Sequence, residues 1–522
     1  MRSFFVANGV RIDVTLTKLS GAGWPSSQAA LRTAGMRPVA KNASRLSPAE
    51  RVARRYLESE APAVAGTDFD PRLMIEALRC SRRSALLLGD DAASLCLARV
   101  AAPGRRGATA RPAVGAQPPR GAFMIATPTV IVEGLRRADL AAARNCGARL
   151  VHEGLEGKVL LRAPSVEDAF DLLQVLLERG VRAVAPNFLR RVVRPAVSPP
   201  MRAWAHATIG VPAAWAVTRG SRGVKVAVLD EGVDTAHAAL HAAVVAERDF
   251  IGDNGLSAMP SGDDAHGTAC AGVIVSRQPS CPGVSPGCSL IAARIAMGDG
   301  QDGWIFEDQA TADAIDWAWN EGAAVLSNSW GGGLPSDAIR RAFERARTRG
   351  RGGKGAVVVI AAGNDQGAID FPGNLPEYIT VGASTPADER KTKTSSDCET
   401  WWGSNFGETL SVLAPGVFIQ TTDITGSLGY SRSAFTRTFN GTSAATPHVA
   451  GAAALMLSAN PTLSADEVKH YIERTAHRIG SRTGWTPTCG WGRLDVGSAV
   501  PAVASHSAPT RSQATARARR AR

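Results

Sequence analysis

The period of hydrophobic positions changes several times along the chain. Between residues 127 and 185, short apolar stretches alternate with segments of helical period. Thr127–Val132 (TPTVIV) predicts a strand and Arg136–Asn145 a helix. Arg149–His152 and Lys158–Arg162 predict two more strands, Ser165–Arg179 a second helix, and Val181–Ala185 a closing strand. In the second helix Ala169, Leu172, Leu173, Leu176 and Leu177 fall at i, i+3, i+4, i+7 and i+8, which places them on one face. Ser165 followed by Asp168 reads as a capping-box start with Asp in place of Glu. The order βαββαβ is that of a small split-βαβ sheet.

From Val224 to about Val500 the pattern is different. VKVAVLD (Val224–Asp230), LIAARI (Leu290–Ile295), AAVLSNS (Ala323–Ser329) and AVVVIAA (Ala356–Ala362) are unbroken apolar runs, which suit parallel strands buried on both faces. Helical patterns such as Asp308–Asn320 and Ser336–Arg349 lie between them. This predicts an α/β domain with a doubly wound, mostly parallel sheet. Residues 1–101 show only weak periodicity, with short helices plausible at 48–57 and 71–78, and no readable role. Residues 102–122, rich in Pro, Gly, Ala and Arg, read as a linker, and 501–522 as a basic disordered tail. The expected units are therefore 1–101, 102–122, 123–192, 200–500 and 501–522.

Composition changes this picture little. The 522 residues carry a formal net charge of +12, but the arginines gather in the linker (Arg105, Arg106, Arg111, Arg120) and the tail (Arg511, Arg517, Arg519, Arg520, Arg522). Charge placed there gives no folded basic face, so a nucleic-acid partner is not expected. No apolar run approaches the roughly 20 residues that a membrane span needs. Arg11 and Asp13 interrupt the N-terminal apolar stretch, and Asp90 and Asp91 a second one near Arg82, so no signal peptide is expected. The eight cysteines show no zinc-type pairing. Cys281 and Cys288 are near enough to close a small disulfide loop, and Cys398 and Cys489 to pair only through the fold, or all four are buried thiols.

Three segments carry candidate chemistry. VAVLDEGVD puts Asp230 at the end of a predicted buried strand. HGTACAGVI opens a predicted helix with His266. FNGTSAATPHVAG sets Ser443 just before another helix. An amide is a poor electrophile, and a serine hydroxyl attacks it only if a base takes the proton. Histidine suits that role, and it needs a buried carboxylate to fix its tautomer and stabilise its cation. Gly441 and Gly451 leave room for close packing near the serine, and Pro447 is expected to sit early enough in the helix to break no hydrogen bond.

In these motifs, and in their order Asp230, His266, Ser443, the chain resembles the subtilase (subtilisin-like, S8) serine proteases, roughly over residues 200–500. AAGN (Ala361–Asn364) is similar to the family's oxyanion segment, SNSWGGG (Ser327–Gly333) to the strand lining the substrate cleft, and GVSPGCSLIAARI, SNFG, VLAPGV and GWGRLDV to further family segments. The resemblance implies a serine endopeptidase in which Asp230, His266 and Ser443 form the triad and Asn364 and the Ser443 N–H the oxyanion hole. It also implies that Ser329, Trp330 and Gly331 bind substrate. The implied fold is α/β, a subtilisin-like sheet preceded by a small α+β, ferredoxin-like propeptide domain that chaperones and inhibits. The implied partners are polypeptide substrates and that propeptide-like unit, and the resemblance favours secretion. The segment 187–200 looks exposed and flexible enough to enter an active site, so autocatalytic cleavage is expected between about Phe188 and Trp204. The chemistry requires no cofactor. Structural calcium is common in such proteins, but no ligand set is assignable, the hydroxyls and carboxylate of Thr422–Thr425 included.

Some positions depart from the family pattern. Glu231 replaces the usual Thr or Ser after the aspartate and is expected to point away from Asp230, as neighbours on a strand do. Ala444 replaces a common Met. Cys270, one helical turn after His266, reads as a packing residue or a second nucleophile. Ser329–Gly331 also occurs in kexin-like relatives, but their acidic cluster is missing after Gly333, which argues against dibasic specificity. Two rivals are a binding protein on an inactive protease scaffold and a processing enzyme for one cognate partner. The intact triad argues against the first.

Overall fold

The computed structural model describes the backbones of residues 2–7, 10–18 and 96–100, and residues 124–505 except 182, 194–203, 252–256, 300–302, 333 and 480–483. The helices expected at 48–57 and 71–78, the linker and most of the basic tail lie outside the described residues.

Strands β1 (Arg2–Ala7), β2 (Val10–Lys18) and β3 (Cys96–Val100) precede β4 (Met124–Glu133), α1 (Arg137–Asn145), β5 (Arg149–Glu153), β6 (Lys158–Arg162), α2 (Val166–Glu178) and β7 (Ala183–Val193). The last four strands pair antiparallel in the order β5-β6-β4-β7, and β3, β2 and β1 extend the sheet from β4. Ser165 caps α2, its Oγ accepting from the Asp168 N–H at 3.1 Å. β4 alternates as a strand must: Val130 and Val132 face α2, while Ile131 enters the core of the following domain.

Short helices α3 (Ala205–Thr208) and α4 (Val211–Trp215) lead to β8 (Lys225–Asp230), β9 (Val244–Asp249), α5 (His266–Val275) and the ribbon β10 (Arg277–Gln278) with β11 (Cys281–Pro282). Next come β12 (Ser289–Arg294), the hairpin β13 (Ala296–Gly298) and β14 (Gly303–Glu307), α6 (Asp308–Asn320), β15 (Ala323–Asn328), α7 (Asp337–Arg349), β16 (Val357–Ala361), β17 (Ile379–Ser384) and β18 (Leu410–Pro415). The pair β19 (Ile419–Thr422) and β20 (Phe435–Phe439) precedes α8 (Thr442–Ala459), α9 (Ala465–Thr475) and α10 (Val496–Ser505).

Seven strands form one sheet in the order β18-β17-β16-β15-β8-β12-β9, every pair parallel. The unbroken apolar runs have a direct cause. On β8, Val226 and Val228 enter the core under α5 and α8, while Ala227 and Leu229 enter the core under α6 and α7. β12, β15 and β16 divide their side chains between the same two cores. A strand covered by helices on both faces has no polar side to show.

One prediction fails here. The closing strand ends at Val193 rather than Ala185, and Asn187, Phe188 and Leu189 are buried, not exposed and flexible. Leu189–Val193 pairs antiparallel with Glu307–Gly303 of β14, a long-range pairing invisible in local periodicity. The upstream sheet thus runs on into the following domain. Besides Ile131 and Leu160, which join the apolar core there, its contact includes buried polar groups. Lys158, with a fully buried side chain, pairs with Asp316 and, at 3.1 Å, with Asp313 of α6. Arg345 of α7 bridges Asp316 at 2.8 Å and Glu133 at 3.2 Å. Asn187 Nδ2 donates to Glu307 Oε1 at 2.9 Å.

Candidate active site

Chain order reverses about β8, with β12 on one side and β15 on the other, so a crevice opens beyond the carboxyl ends of the strands. The sequence-predicted residues converge there. Asp230 ends β8, His266 opens α5, Ser443 is the second residue of α8, Ser329 follows β15, and Asn364 follows β16 by three residues.

His266 Nδ1 lies 2.8 Å from Asp230 Oδ1, and both side chains are 1% exposed. The carboxylate makes Nδ1 the protonated nitrogen and leaves Nε2 as the acceptor. Burial works against an imidazolium, but the charge and hydrogen bond of Asp230, together with the neighbouring Cys270, outweigh it and raise the His266 pKa well above its ordinary value. The imidazole packs edge-on to Phe439 and tilted against Trp304. Glu231, expected to point aside, has a definite task. Its Oε1 accepts the His266 N–H at 2.8 Å, at a helix start that no side chain of the N-cap residue Ala265 satisfies. Gly267 is required next to it, since a side chain there would come within 2.1 Å of the Gly232 carbonyl.

Ser443 Oγ donates to the Ser329 carbonyl at 3.1 Å, and among the described residues it makes no bond to His266. Pro447 is not where the sequence suggested. It is the sixth residue of α8, so its missing N–H would have bonded the Ser443 carbonyl. That carbonyl instead accepts from Ser329 Oγ at 3.0 Å and from Cys270 Sγ at 3.6 Å. Cys270 also lies 3.9 Å from His266 Nδ1. Burial raises its thiol, which keeps it protonated and poorly nucleophilic.

Asn364 is aimed by its neighbours. Its Oδ1 accepts from the Thr442 N–H at 2.9 Å and the Thr442 hydroxyl at 3.0 Å, and Nδ2 has no hydrogen-bond acceptor among the described residues. Gly441, at φ 111°, opens the turn where this amide meets Ser443. Trp330 is 2% exposed, its indole stacked on Phe343 and tilted against Phe306, so its side chain lies in the core. Hydrophobicity on a parallel strand's end drew it into the core. Two further indoles are tied down away from the crevice chemistry: Trp402 is buried with Nε1 on Glu399, and Trp485 Nε1 donates to the Leu410 carbonyl.

Among the described residues, the one trio of His, Cys, Asp or Glu ligand atoms within 4.8 Å of one another is Asp230, His266 and Cys270. A thiol and an imidazole do not suit calcium, which takes oxygen ligands. Asp423 is already used, its carboxylate accepting the N–H groups of Ile424, Tyr430 and Ser431. Cys146, Cys270, Cys281, Cys288, Cys398 and Cys489 are free thiols. No described helix is long and apolar enough to cross a membrane.

Acid, imidazole and serine hydroxyl at the carboxyl edge of a parallel sheet, in this chain order, are the arrangement that the subtilase resemblance implies. The profile of the subtilase family matches residues 221–492, and the chain belongs to that family. A calcium-dependent protease of Trichormus variabilis is 32% identical over 380 residues, 63% of this chain and 55% of the relative. Thermitase of Thermoactinomyces vulgaris is 34% identical over 297 residues, 56% of this chain and 93% of thermitase. Fervidolysin of Fervidobacterium pennivorans shares the fold, with a TM-score of 0.57 at 24% identity over 72% of this chain and 61% of its own. The chain spans about half the length of the calcium-dependent proteases it matches.

Sequence reasoning missed the roles of Glu231, Thr442 and Pro447. Thr442, adjacent to Ser443, was in view within the GTS motif, but only the fold brings Asn364 to it.

Proposed function

We propose that this chain is a serine endopeptidase made as a zymogen. The observation that carries the reading is the buried Asp230–His266 bond beside Ser443, with Asn364 anchored on Thr442. Family membership and relatives named as proteases support it. Ser443 Oγ attacks the substrate carbonyl while His266 Nε2 takes its proton, and the imidazolium forms against Asp230. Asn364 Nδ2 and the Ser443 N–H, at the start of α8, bind the oxyanion. His266 returns the proton to the leaving amine, and water releases the acyl group by the reverse steps. The test is labelling by a fluorophosphonate, which should modify the cleaved wild type and not the Ser443→Ala protein. An unlabelled wild type overturns the reading.

The unit from β4 to β7 acts in this reading as a ferredoxin-like propeptide. Its strand order, its docking on α6 and α7, and the near-complete burial of the triad (Ser443 is 5% exposed) in the uncut chain support that role.

Asn364→Ala should lower kcat by about 10²- to 10³-fold with little change in KM, because the oxyanion develops only in the transition state. Steady-state kinetics check this, and a change confined to KM makes Asn364 a substrate-binding group instead.

The pH profile gives another test. His266 must be neutral to act as base, and its pKa is raised. The acid limb of kcat/KM should therefore have its midpoint above about 6.5, with activity lost as pH falls through it. Asp230→Asn removes the charge that raises the pKa and leaves burial, which lowers it. The limb should move to lower pH in that variant, with kcat reduced about 10⁴-fold. An unmoved limb would separate Asp230 from the titration of His266.

A further inference from the structure

Glu231 is tied at three points to the residues around it. Its N–H donates to Asp230 Oδ1 at 2.9 Å, its side-chain Oε1 accepts the His266 N–H at 2.8 Å, and its carbonyl accepts from Arg294 Nε at 3.3 Å. The Asp230 oxygen that takes the first of these bonds is the one 2.8 Å from His266 Nδ1. Glu231 therefore bonds both members of the acid–imidazole pair, the aspartate through its main chain and the histidine through its side chain. The local chain explains how. Asp230 is the last residue of β8, so the alternation that turns strand neighbours apart stops there. β12 holds the strand end from the side: Arg294 stands opposite Asp230 in the parallel register, and the Ile295 N–H donates to the Asp230 carbonyl at 2.8 Å.

The bond to His266 is made where the helix needs it. His266 is the first residue of α5, and its N–H has no acceptor within the helix. The helix dipole favours a carboxylate at that end, and a charge-assisted bond is stronger than a neutral one. Glu231 is 0% exposed, and so buried a bond is stronger than the same bond in water. The backbone leaves little slack, since a side chain at Gly267 would come within 2.8 Å of the Asp230 Cβ. On the Asp230 carboxylate, Oδ2 is buried and has no hydrogen-bond partner among the described residues. The aspartate thus grips the imidazole through Oδ1 alone, and its second oxygen does nothing to correct a shift of the ring.

We propose that Glu231 is a positioning residue for the general base, holding the main chain of His266 so that the ring, fixed at Nδ1 by Asp230, keeps Nε2 turned towards Ser443. The inference rests on the peptidase reading above. An imidazole held at Nδ1 alone can pivot about that one bond. Held also at its own N–H, the residue has a single orientation. A displacement of about 1 Å among reacting groups costs on the order of 10²-fold in rate. The bond from Glu231 therefore bears on turnover, and substrate affinity does not depend on it.

The experiment measures kcat and KM for the wild type, Glu231→Ala, Glu231→Asp and Glu231→Gln, with kcat divided by the number of sites that a fluorophosphonate labels. Glu231→Ala should lower kcat per labelled site by about 10- to 10²-fold, with KM within about twofold of wild type. Glu231→Asp keeps the charge but falls one methylene short of the His266 N–H, and should lose nearly as much. Glu231→Gln keeps an oxygen acceptor at full reach and should recover most of the loss, to within about threefold of wild type. If the alanine protein does not fold, the order of Gln above Asp carries the test. A kcat per labelled site unchanged in Ala and Asp, with only a lower melting temperature, makes Glu231 a helix cap and overturns the proposal. A Gln protein as slow as Asp overturns it too, because charge and not reach would then set the rate. Labelling separates the two readings. A wild type that labels and turns over, with variants equal to it, refutes the positioning role alone, while an unlabelled wild type without turnover refutes the peptidase reading and this role with it.

Discussion

Ser443→Ala should lower kcat by about 10⁶-fold, the loss seen when a subtilisin nucleophile is removed. The estimate follows from the unit character of the site. In the proposed mechanism His266 and Asp230 serve to move the Ser443 proton, and without the hydroxyl no acyl-enzyme can form. The fold should survive. Ser443 is small, sits at the start of α8, and holds the structure chiefly through its backbone carbonyl. Circular dichroism and a thermal melt should match the wild type, and turnover within tenfold of wild type would remove Ser443 from the nucleophile's role. The same protein should stay full length on its own and be cut between about Phe188 and Trp204 when mixed with wild type. That segment must first leave the sheet, since 189–193 is paired with β14.

Lys158→Ala should release the upstream unit after cleavage. Lys158 is the buried cation between Asp313 and Asp316. Breaking a buried pair by removing one partner costs about 3–5 kcal/mol, which corresponds to roughly 10²- to 10³-fold or more in dissociation. Asp316 keeps Arg345 in the variant, so Asp313 is the group left exposed to the loss. Burial would raise the Asp313 carboxyl, but the hydrogen bond with His152, the charge of Lys158 and the bond from Gln309 together hold it at about 2. A lowered carboxyl stabilises docking above its free value of about 3.9, and the contribution is lost only as pH falls towards about 2. Mild acid therefore does not release the unit through this group. The measurement is recovery of activity on dilution of the cleaved complex. Identical recovery for wild type and variant would show that the unit is not held there, or does not inhibit.

Much of this fold was legible because its strands are buried on both faces. Val226–Leu229 and Val357–Ile360 give continuous apolar runs that no solvent-facing strand would carry. The candidate site was legible because its residues stand at the boundaries of these elements, in short motifs. What stayed hidden depends on contacts between distant segments. The pairing of Leu189 with Glu307 gives β7 its extra length, and nothing local announces it. Glu231 reads as an oddity until α5 is set across it. Trp330 reads as a cleft residue because sequence gives the strand and not the direction of its final side chain.

The tie at the Ser443 carbonyl also bears on how complexes can be captured. Three elements meet there: α8 through the oxygen itself, the chain after β15 through Ser329, and α5 through Cys270. Pro447 frees that oxygen, and no substitution at 443 removes it. A protein with alanine in place of the nucleophile therefore keeps the walls of its crevice in register. On the proposed peptidase reading it is a decoy, expected to hold an intact peptide that the active enzyme would sever, and so suited to isolating the natural substrate bound in place.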